Sequence, residues 1–431
     1  MSIVYLKEYR GPSMNYRAEL FDQMQLLYEE TGFNDHQLHC IIRLRSCLDE
    51  SVLRRAVSLS LGAIPILATR YVARAGRSRW ESLPLADLER AFSTADDETA
   101  FEPAVTYRIQ EGLGPQLRLC LSRGEKSAVA ITMNHMIADA GGFKDYLYFL
   151  CATYSHLMRD ASYTPPNITG DRGIRDLLRE FGLKEKIGAL IAQKADSNRA
   201  GSLCFPFDSG NRVEPFIATR VVDRGKVARL KAYCKERGAT INDAALAAYY
   251  RVLVRYIGPS ATEGLEVPVM IDMRRYLKNK EFRALRNLAS TTVTRLRLRE
   301  DESFEETLGK AKLLMDTLKR QSLGLGGYAK ISLLFGLCGD RLAFRLLRGA
   351  LRHPLVCMTN IGELNQRRLA FDGVEVESAY MCGSIKRKPH FQLALSGFDG
   401  SLTLSSNLYG TEKDRSSIDA FLSEVEGELT V

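Results

Sequence analysis

No apolar run in this chain of 431 residues approaches the roughly 18 residues that a membrane-spanning helix needs, so no transmembrane segment is expected. The opening residues Met1-Ser-Ile-Val-Tyr-Leu-Lys-Glu-Tyr-Arg10 hold no apolar signal-peptide core and no small-residue cleavage site, which points to the cytoplasm. None of the nine cysteines forms a CxxC pair, and their number is odd. Scattered reduced thiols fit that pattern better than a disulfide framework or a zinc site. Recognition-helix, RNP-type and zinc-finger signatures are missing and the basic residues are dispersed, so nucleic acid is not an expected partner. The run Gly324-Leu-Gly326-Gly327-Tyr328 has no Gly-Lys-Ser/Thr after it and is no phosphate loop; a flexible crossover or lid is expected there.

What is present is ordinary in bulk. Hydrophobic residues make up 45% and charged residues 26%, and the length suits two subdomains better than one core. The net charge of +8 is mild for this length. It suits an anionic small ligand, an acidic protein partner, or peripheral contact with an anionic lipid surface. Along the chain, helices are expected at 19–30, 50–61, 143–158, 226–237, 240–257, 304–320 and 416–429, with a helical piece near 174–192. Asp49 is placed to cap the second of these, and Thr240 with Asp243 forms a capping box at the fifth. Strands are expected at 37–45, 64–72, 117–121, 127–133, 216–222, 265–272, 288–298, 353–361, 391–396 and 401–406. Between residues 165 and 215 the pattern weakens into Pro, Gly and polar residues. The reading is α/β, in two halves that each carry a mixed sheet.

The stretch Ile131-Thr-Met-Asn-His135-Met-Ile-Ala-Asp139-Ala-Gly141-Gly142-Phe143 concentrates the chemistry. An apolar strand delivers His135, Asp139 follows four residues later, and Gly141 and Gly142 let the backbone approach a ligand closely. A histidine with an ordinary pKa of about 6.5 is available as a neutral base at cytoplasmic pH. Such a base can take the proton of a hydroxyl, amine or thiol that attacks a carbonyl carbon. The spacing alone carries little weight, because His156 and Asp160 repeat it. That second pair lies at the end of an expected helix with no strand before it and no glycines after it, which makes it an ordinary surface i, i+4 pair.

Asn134-His135-Met-Ile-Ala-Asp139-Ala-Gly141-Gly142 resembles the His-His-x-x-x-Asp-Gly signature of the coenzyme A-dependent acyltransferase superfamily. That group includes chloramphenicol acetyltransferase, condensation domains of nonribosomal peptide synthetases and alcohol acyltransferases. Further segments resemble the superfamily in the same order: Leu48-Asp-Glu-Ser-Val-Leu-Arg-Arg-Ala-Val57 with Ile64-Pro-Ile-Leu-Ala-Thr-Arg70, then Ala239-Thr-Ile-Asn-Asp243, then Val267-Pro-Val-Met-Ile-Asp-Met-Arg274-Arg-Tyr276, then Thr359-Asn360-Ile-Gly362. Two positions depart from the signature, Asn134 for its first His and Ala140 for its Gly.

The resemblance implies two chloramphenicol-acetyltransferase-like subdomains in a V-shaped pseudo-dimer with a tunnel between them. Residues 1–180 would form the N-terminal subdomain with the His-x-x-x-Asp motif, 181–215 a connection, and 216–431 the C-terminal subdomain. It implies His135 as general base. Asp139 would be structural, paired with an arginine of the second half, Arg274 or else Arg275. Asn360 and Thr359 would donate hydrogen bonds to an oxyanion or acceptor, or else form a plain strand-end turn, with Asn287 and Thr291 or Thr292 as further candidates. No permanently bound cofactor and no metal is implied. An acyl thioester, on coenzyme A or on the phosphopantetheine arm of an acidic carrier protein, would be co-substrate to an alcohol or amine acceptor. A non-catalytic relative is the rival reading, and a cleft closed at His135 would mark it.

One further feature is a row of arginines, Arg341, Arg345, Arg348 and Arg352, on one face of an expected helix with Asp340 as its cap. A solvated helix face explains it, and so would contact with coenzyme A phosphates, a carrier protein or lipid.

Overall fold

The computed structural model describes residues 15–74, 77–124, 126–192, 203–320 and 325–430. Fifteen strands are present among them. The first half holds β1 (Asn15–Arg17), β2 (Gln37–Leu44), β3 (Thr69–Val72), β4 (Arg79–Ser82), β5 (Phe92–Ala95), β6 (Leu117–Ser122) and β7 (Ala128–Asn134). The second holds β8 (Glu214–Val222), β9 (Leu265–Asp272), β10 (Ala289–Leu296), β11 (Val356–Leu364), β12 (Val376–Cys382), β13 (Lys386–Arg387), β14 (Phe391–Phe398) and β15 (Ser401–Gly410).

They form a three-stranded sheet in the order β1-β4-β3 and two larger mixed sheets. One runs β12-β2-β7-β6-β5, with only β5 and β6 parallel. The other runs β10-β9-β11-β14-β15-β13, with β8 also on β15; β11 is parallel to both β9 and β14. Strand β12 comes from the second half of the chain yet completes the first half's sheet through Met381 opposite Cys40. Division by chain position and division by sheet therefore part company at residues 376–382.

Capping sets the helices as the side chains dictate. Asp49 accepts from the N–H groups of Ser51 and Val52 and starts Glu50–Ala63. Thr240 and Asp243 form a reciprocal capping box on Ile241–Ile257, which Gly258 ends at a positive φ. Each such cap stabilises its helix by about 1 kcal/mol.

The segment 64–72 differs from the expected strand. Pro65 has no N–H to give a sheet ladder, and Pro65–Ala68 turns as a 3₁₀ segment before β3 starts at Thr69. The helical piece near 174–192 is two helices, Arg175–Arg179 and Leu183–Ala192. The glycine-rich run is helical where it can be followed, in place of the expected flexible crossover or lid. Gly324 lies outside the described residues, and Leu325–Ala350 is helical, interrupted at Gly339 (φ 68°, ψ 168°). Leu325, Phe335 and Ala343 find buried positions, which gives this segment a reason to fold down. Arg341, Arg345 and Arg348 are exposed, and Arg348 pairs with Glu30 at 2.7 Å; Arg352 lies past the helix end. The side chain of Asp340 lies outside the described residues. No helix among the described residues is long and apolar enough to cross a membrane.

Strand β7 explains how the site is delivered. All seven of its residues are buried. Val129, Ile131 and Met133 enter the core with the helices Glu50–Ala63 and Ala140–Arg159, while Ala128 and Ala130 pack on the opposite face with Phe101. A strand covered on both faces reads as a continuous apolar run and holds its register firmly. Its C-terminal end is Asn134, and His135 follows.

Candidate active site

The loop after β7 is tied down atom by atom. The His135 N–H donates to the His36 carbonyl at 2.8 Å. Asn134 donates through Nδ2 to Gln116 Oε1 at 2.7 Å and accepts from the Met136 N–H at 2.8 Å. Three consecutive loop carbonyls then receive side-chain donors. Asn287 Nδ2 donates to the carbonyls of His135 (2.9 Å) and Met136 (3.0 Å), and Arg172 Nη2 donates to that of Ile137 (3.1 Å). Without these donors the buried carbonyls would be orphaned at a cost of about 1–3 kcal/mol each. Arg172 is itself clamped by a two-pronged pair with buried Asp22, both contacts at 2.9 Å. Asp22 also accepts from the Trp80 indole at 2.8 Å.

Asp139 is 3% exposed and sits in a nest of donors. It caps the helix Ala140–Arg159 by accepting from the Gly142 N–H at 2.9 Å, and it accepts from the Leu288 N–H at 2.6 Å. Arg274 Nη1 meets it at 2.7 and 2.8 Å. Burial alone would raise this carboxyl, but Arg274 and the two N–H groups hold it below its ordinary range. Arg274 goes on to the Arg286 carbonyl at 3.0 Å. Arg275 is exposed, with its guanidinium carbon 5.6 Å from the Tyr276 ring, and does not reach Asp139.

The glycine pair serves that arginine. A Cβ on Gly141 would lie 2.6 Å from Arg274 Nη1, and one on Gly142 would meet Ala138, the Arg286 carbonyl and Arg274 Nη2 at 3.2–3.4 Å. The space expected for a ligand is filled by the guanidinium. Ala140, at the signature's Gly position, is the first helical residue, where no special backbone conformation is needed.

His135 is partly exposed, and its Nδ1 is buried without a hydrogen-bond partner among the described residues. The accessible part of the residue therefore lies away from Nδ1. Burial lowers its pKa, and the charge of Lys386 pushes the same way; its own carbonyl, Asp139 and Asn287 oppose this without reversing it. The balance favours the neutral imidazole, the form that can accept a proton.

The remaining candidates separate. Asn287 is at the site. Asn360 instead donates to Asn242 Oδ1 at 3.2 Å and accepts from the Gly362 N–H at 2.9 Å, pinning a bulge in β11. Thr291 donates to Met270 Sδ, and Thr359 and Thr292 are half-buried on β11 and β10. His156 is exposed and stacks on Tyr163. Arg172, Gln116, His36 and Lys386 join the site without any local sequence signal; each acts across a long separation. No group of three His, Cys, Asp or Glu side chains suited to a metal occurs among the described residues.

A cavity of about 500 Å³ lies along the helix that Asp139 caps. Asp145, Tyr148, Phe149, Phe282, Arg367 and Arg368 are among its lining residues. Arg368 sits 4.1 Å over the Tyr148 ring.

No protein-family model matches this chain, and no curated protein matches it in sequence. Solved structures match it over nearly its full length. Polyketide synthase associated protein 5 from Mycobacterium tuberculosis is 16% identical with a TM-score of 0.68, covering 98% of this chain and 99% of that one. The first condensation domain of the CDA synthetase is 14% identical with a TM-score of 0.69, covering 97% of each chain. The trichothecene 15-O-acetyltransferase of Fusarium sporotrichioides is 13% identical with a TM-score of 0.67, covering 98% of each. At these identities the likeness is one of fold, and the fold is that of condensation domains and acyltransferases.

Proposed function

We propose that this protein is an acyltransferase that moves an acyl group from a thioester to a hydroxyl or amine. The observation that carries the reading is His135, partly exposed and held at the end of a buried strand in surroundings that favour its neutral form, while Asp139 is turned to Arg274. The acceptor's hydroxyl or amine attacks the thioester carbonyl as His135 takes its proton. The tetrahedral adduct collapses, the C–S bond breaks, and the leaving thiolate receives the proton from the imidazolium. The new bond is C–O or C–N. No covalent enzyme intermediate is formed and no metal takes part. A positioned general base of this kind contributes roughly 10²–10⁴-fold. Asp139 serves by keeping the loop in shape.

The donor is acyl-coenzyme A or an acylated phosphopantetheine arm on an acidic carrier protein. Some support comes from the cavity beside the helix Ala140–Arg159, which His135 does not line: its wall is aromatic at Tyr148, Phe149 and Phe282, and its exposed Arg367 and Arg368 suit a phosphate. The solved structures of like fold include a condensation domain and a protein associated with a polyketide synthase, which favours a carrier-bound donor; the acetyltransferase among them favours a free one. A cytoplasmic setting suits nine scattered cysteines with no CxxC pair.

His135→Ala tests the reading. Transfer from an acyl thioester to a panel of alcohols and amines should fall at least a hundredfold, by roughly the contribution of a general base, with the melting temperature kept. Wild-type turnover in that variant would overturn it. Running the same assay with acyl-coenzyme A and with a loaded carrier separates the two donors.

A further inference from the structure

Lys386 is a buried lysine with no hydrogen bond or ion pair among the described residues; burial works against its charge, and Asp35 favours it from a distance. It lies on the short strand β13, opposite Leu408 of β15 on one side and bridged to Asn34 on the other. It is 3% exposed. Its ammonium rests 3.8 Å from the centre of the Phe33 ring and makes no hydrogen bond or ion pair with any described residue. A cation–π contact compensates an ammonium for lost water only in part. The neighbouring carboxylate favours the charged lysine across space but spends its hydrogen bonds elsewhere. Asp35 is committed to the N–H groups of Ile385 (2.9 Å) and Gln37 (3.2 Å) and to the Tyr409 hydroxyl (3.3 Å).

The surroundings form an aromatic wall. His353 stacks on Phe33 with ring centres 4.6 Å apart, and His390 stands edge-on to Phe33 at 4.9 Å. Residues 33–36 join this wall to the candidate active site. The Arg387 N–H donates to the Phe33 carbonyl, the Asp35 N–H to that of Ile385, and the His135 N–H to that of His36. Lys386 and His135 therefore flank one short segment on the seam between the two large sheets. The lysine's charge reaches His135, His353 and His390 and contributes to lowering all three.

We propose that Lys386 is the anion subsite of the substrate cleft, binding a carboxylate carried by a small-molecule substrate against the wall of Phe33, His353 and His390. A carboxylate fits better than a phosphate group, because one ammonium in an aromatic enclosure balances a single charge. The inference rests on the acyl-transfer reading for calling the ligand a substrate, but binding itself does not. Two sources of the carboxylate exist: an acceptor that is a hydroxy or amino acid, or a donor whose acyl chain ends in a carboxylate.

Isothermal titration calorimetry on the whole protein distinguishes them. One arm compares 3-phenyllactate with its methyl ester, and the other succinyl-coenzyme A with butyryl-coenzyme A. In one arm the carboxylate compound should bind at least tenfold tighter than its neutral counterpart. That preference should vanish in Lys386→Met and in Lys386→Gln and persist in His135→Ala. The melting temperature of Lys386→Met should stay level or rise, since an unpaired buried charge is removed. No preference in either arm, a preference that survives both lysine variants, or a clear fall in melting temperature would overturn the subsite. A preserved carboxylate preference in a protein that transfers no acyl group would overturn the acyltransferase reading and leave the subsite standing.

Discussion

Arg274 occupies the space that a side chain on Gly141 would fill, with its Nη1 2.6 Å from where that Cβ would be. The glycine and the arginine are one device. The bare backbone at the first turn of the helix Ala140–Arg159 lets the guanidinium lie against it and reach Asp139, the residue that caps the same helix.

Gly141→Ala should therefore behave like a weakened Arg274→Ala. Loss of one partner of a buried ion pair costs about 3–5 kcal/mol, and displacement should cost somewhat less, about 2–3 kcal/mol. Urea unfolding of the two single variants and the double variant measures this. The double variant should be little worse than Arg274→Ala alone. Additive losses would show that the two residues act separately.

Asp139→Asn tests the same pair through pH. The folded carboxyl is held below its ordinary range by Arg274 and two N–H groups. A depressed pKa stabilises the fold at pH values above the unfolded value of about 3.9, and that contribution fades as pH falls through the folded value. Wild-type stability should therefore drop steeply at the acid end. Asp139→Asn should start about 3 kcal/mol lower at pH 7, because Arg274 is left unpaired, and change less between pH 7 and pH 3. Parallel acid limbs for the two proteins would exclude Asp139 as their source.

How much of this was legible in the sequence depended on range. The apolar run expected at 127–133, the Asp49 cap and the Thr240–Asp243 capping box are local patterns, and the structure has the caps where the pattern places them and the strand one residue later, at 128–134. Pro65 was legible too, but a run of apolar neighbours outweighed its missing N–H in the strand reading of 64–72. The glycine pair announced a close approach without saying of what. The crossing of β12 to β2, the Arg172–Asp22 pair and the contacts of Lys386 left no local trace, because each joins residues whose side chains meet only after the halves have come together. Asp139 and Arg274 are 135 residues apart, and only the likeness of two short segments to a known signature suggested pairing them.

Asn287→Ala should separate loop geometry from proton transfer. Its amide serves the carbonyls of His135 and Met136 at once. Truncation strands two acceptors, one of them fully buried, at a cost of about 1–3 kcal/mol. If His135 is the base, turnover should fall roughly ten- to a hundredfold as the ring loses its placement, with a smaller change in KM. A change confined to KM would mean that Asn287 contacts substrate and does not position His135.

His36 gives a signature on the alkaline side. It is fully buried at a positive φ of 43°, with Nδ1 2.5 Å from Glu29 and Nε2 3.6 Å from Glu111, and its carbonyl holds the His135 N–H. Burial works against its charge, yet the two carboxylates prevail and push the pKa up to about 9. A raised pKa stabilises the fold fully below the unfolded value of about 6.5, and the contribution is lost as pH rises through 9. The linked stabilisation is on the order of 3 kcal/mol. Wild-type stability from urea unfolding should therefore decline between pH 6.5 and pH 9.5. His36→Gln should be less stable at pH 6 and nearly level across that interval, because glutamine carries no proton to lose while Glu29 and Glu111 still face each other. A wild-type curve that is flat from pH 6.5 to 9.5 would mean that His36 is neutral in the folded protein and that the two carboxylates are balanced by Arg108 and Arg387, which also approach Glu29.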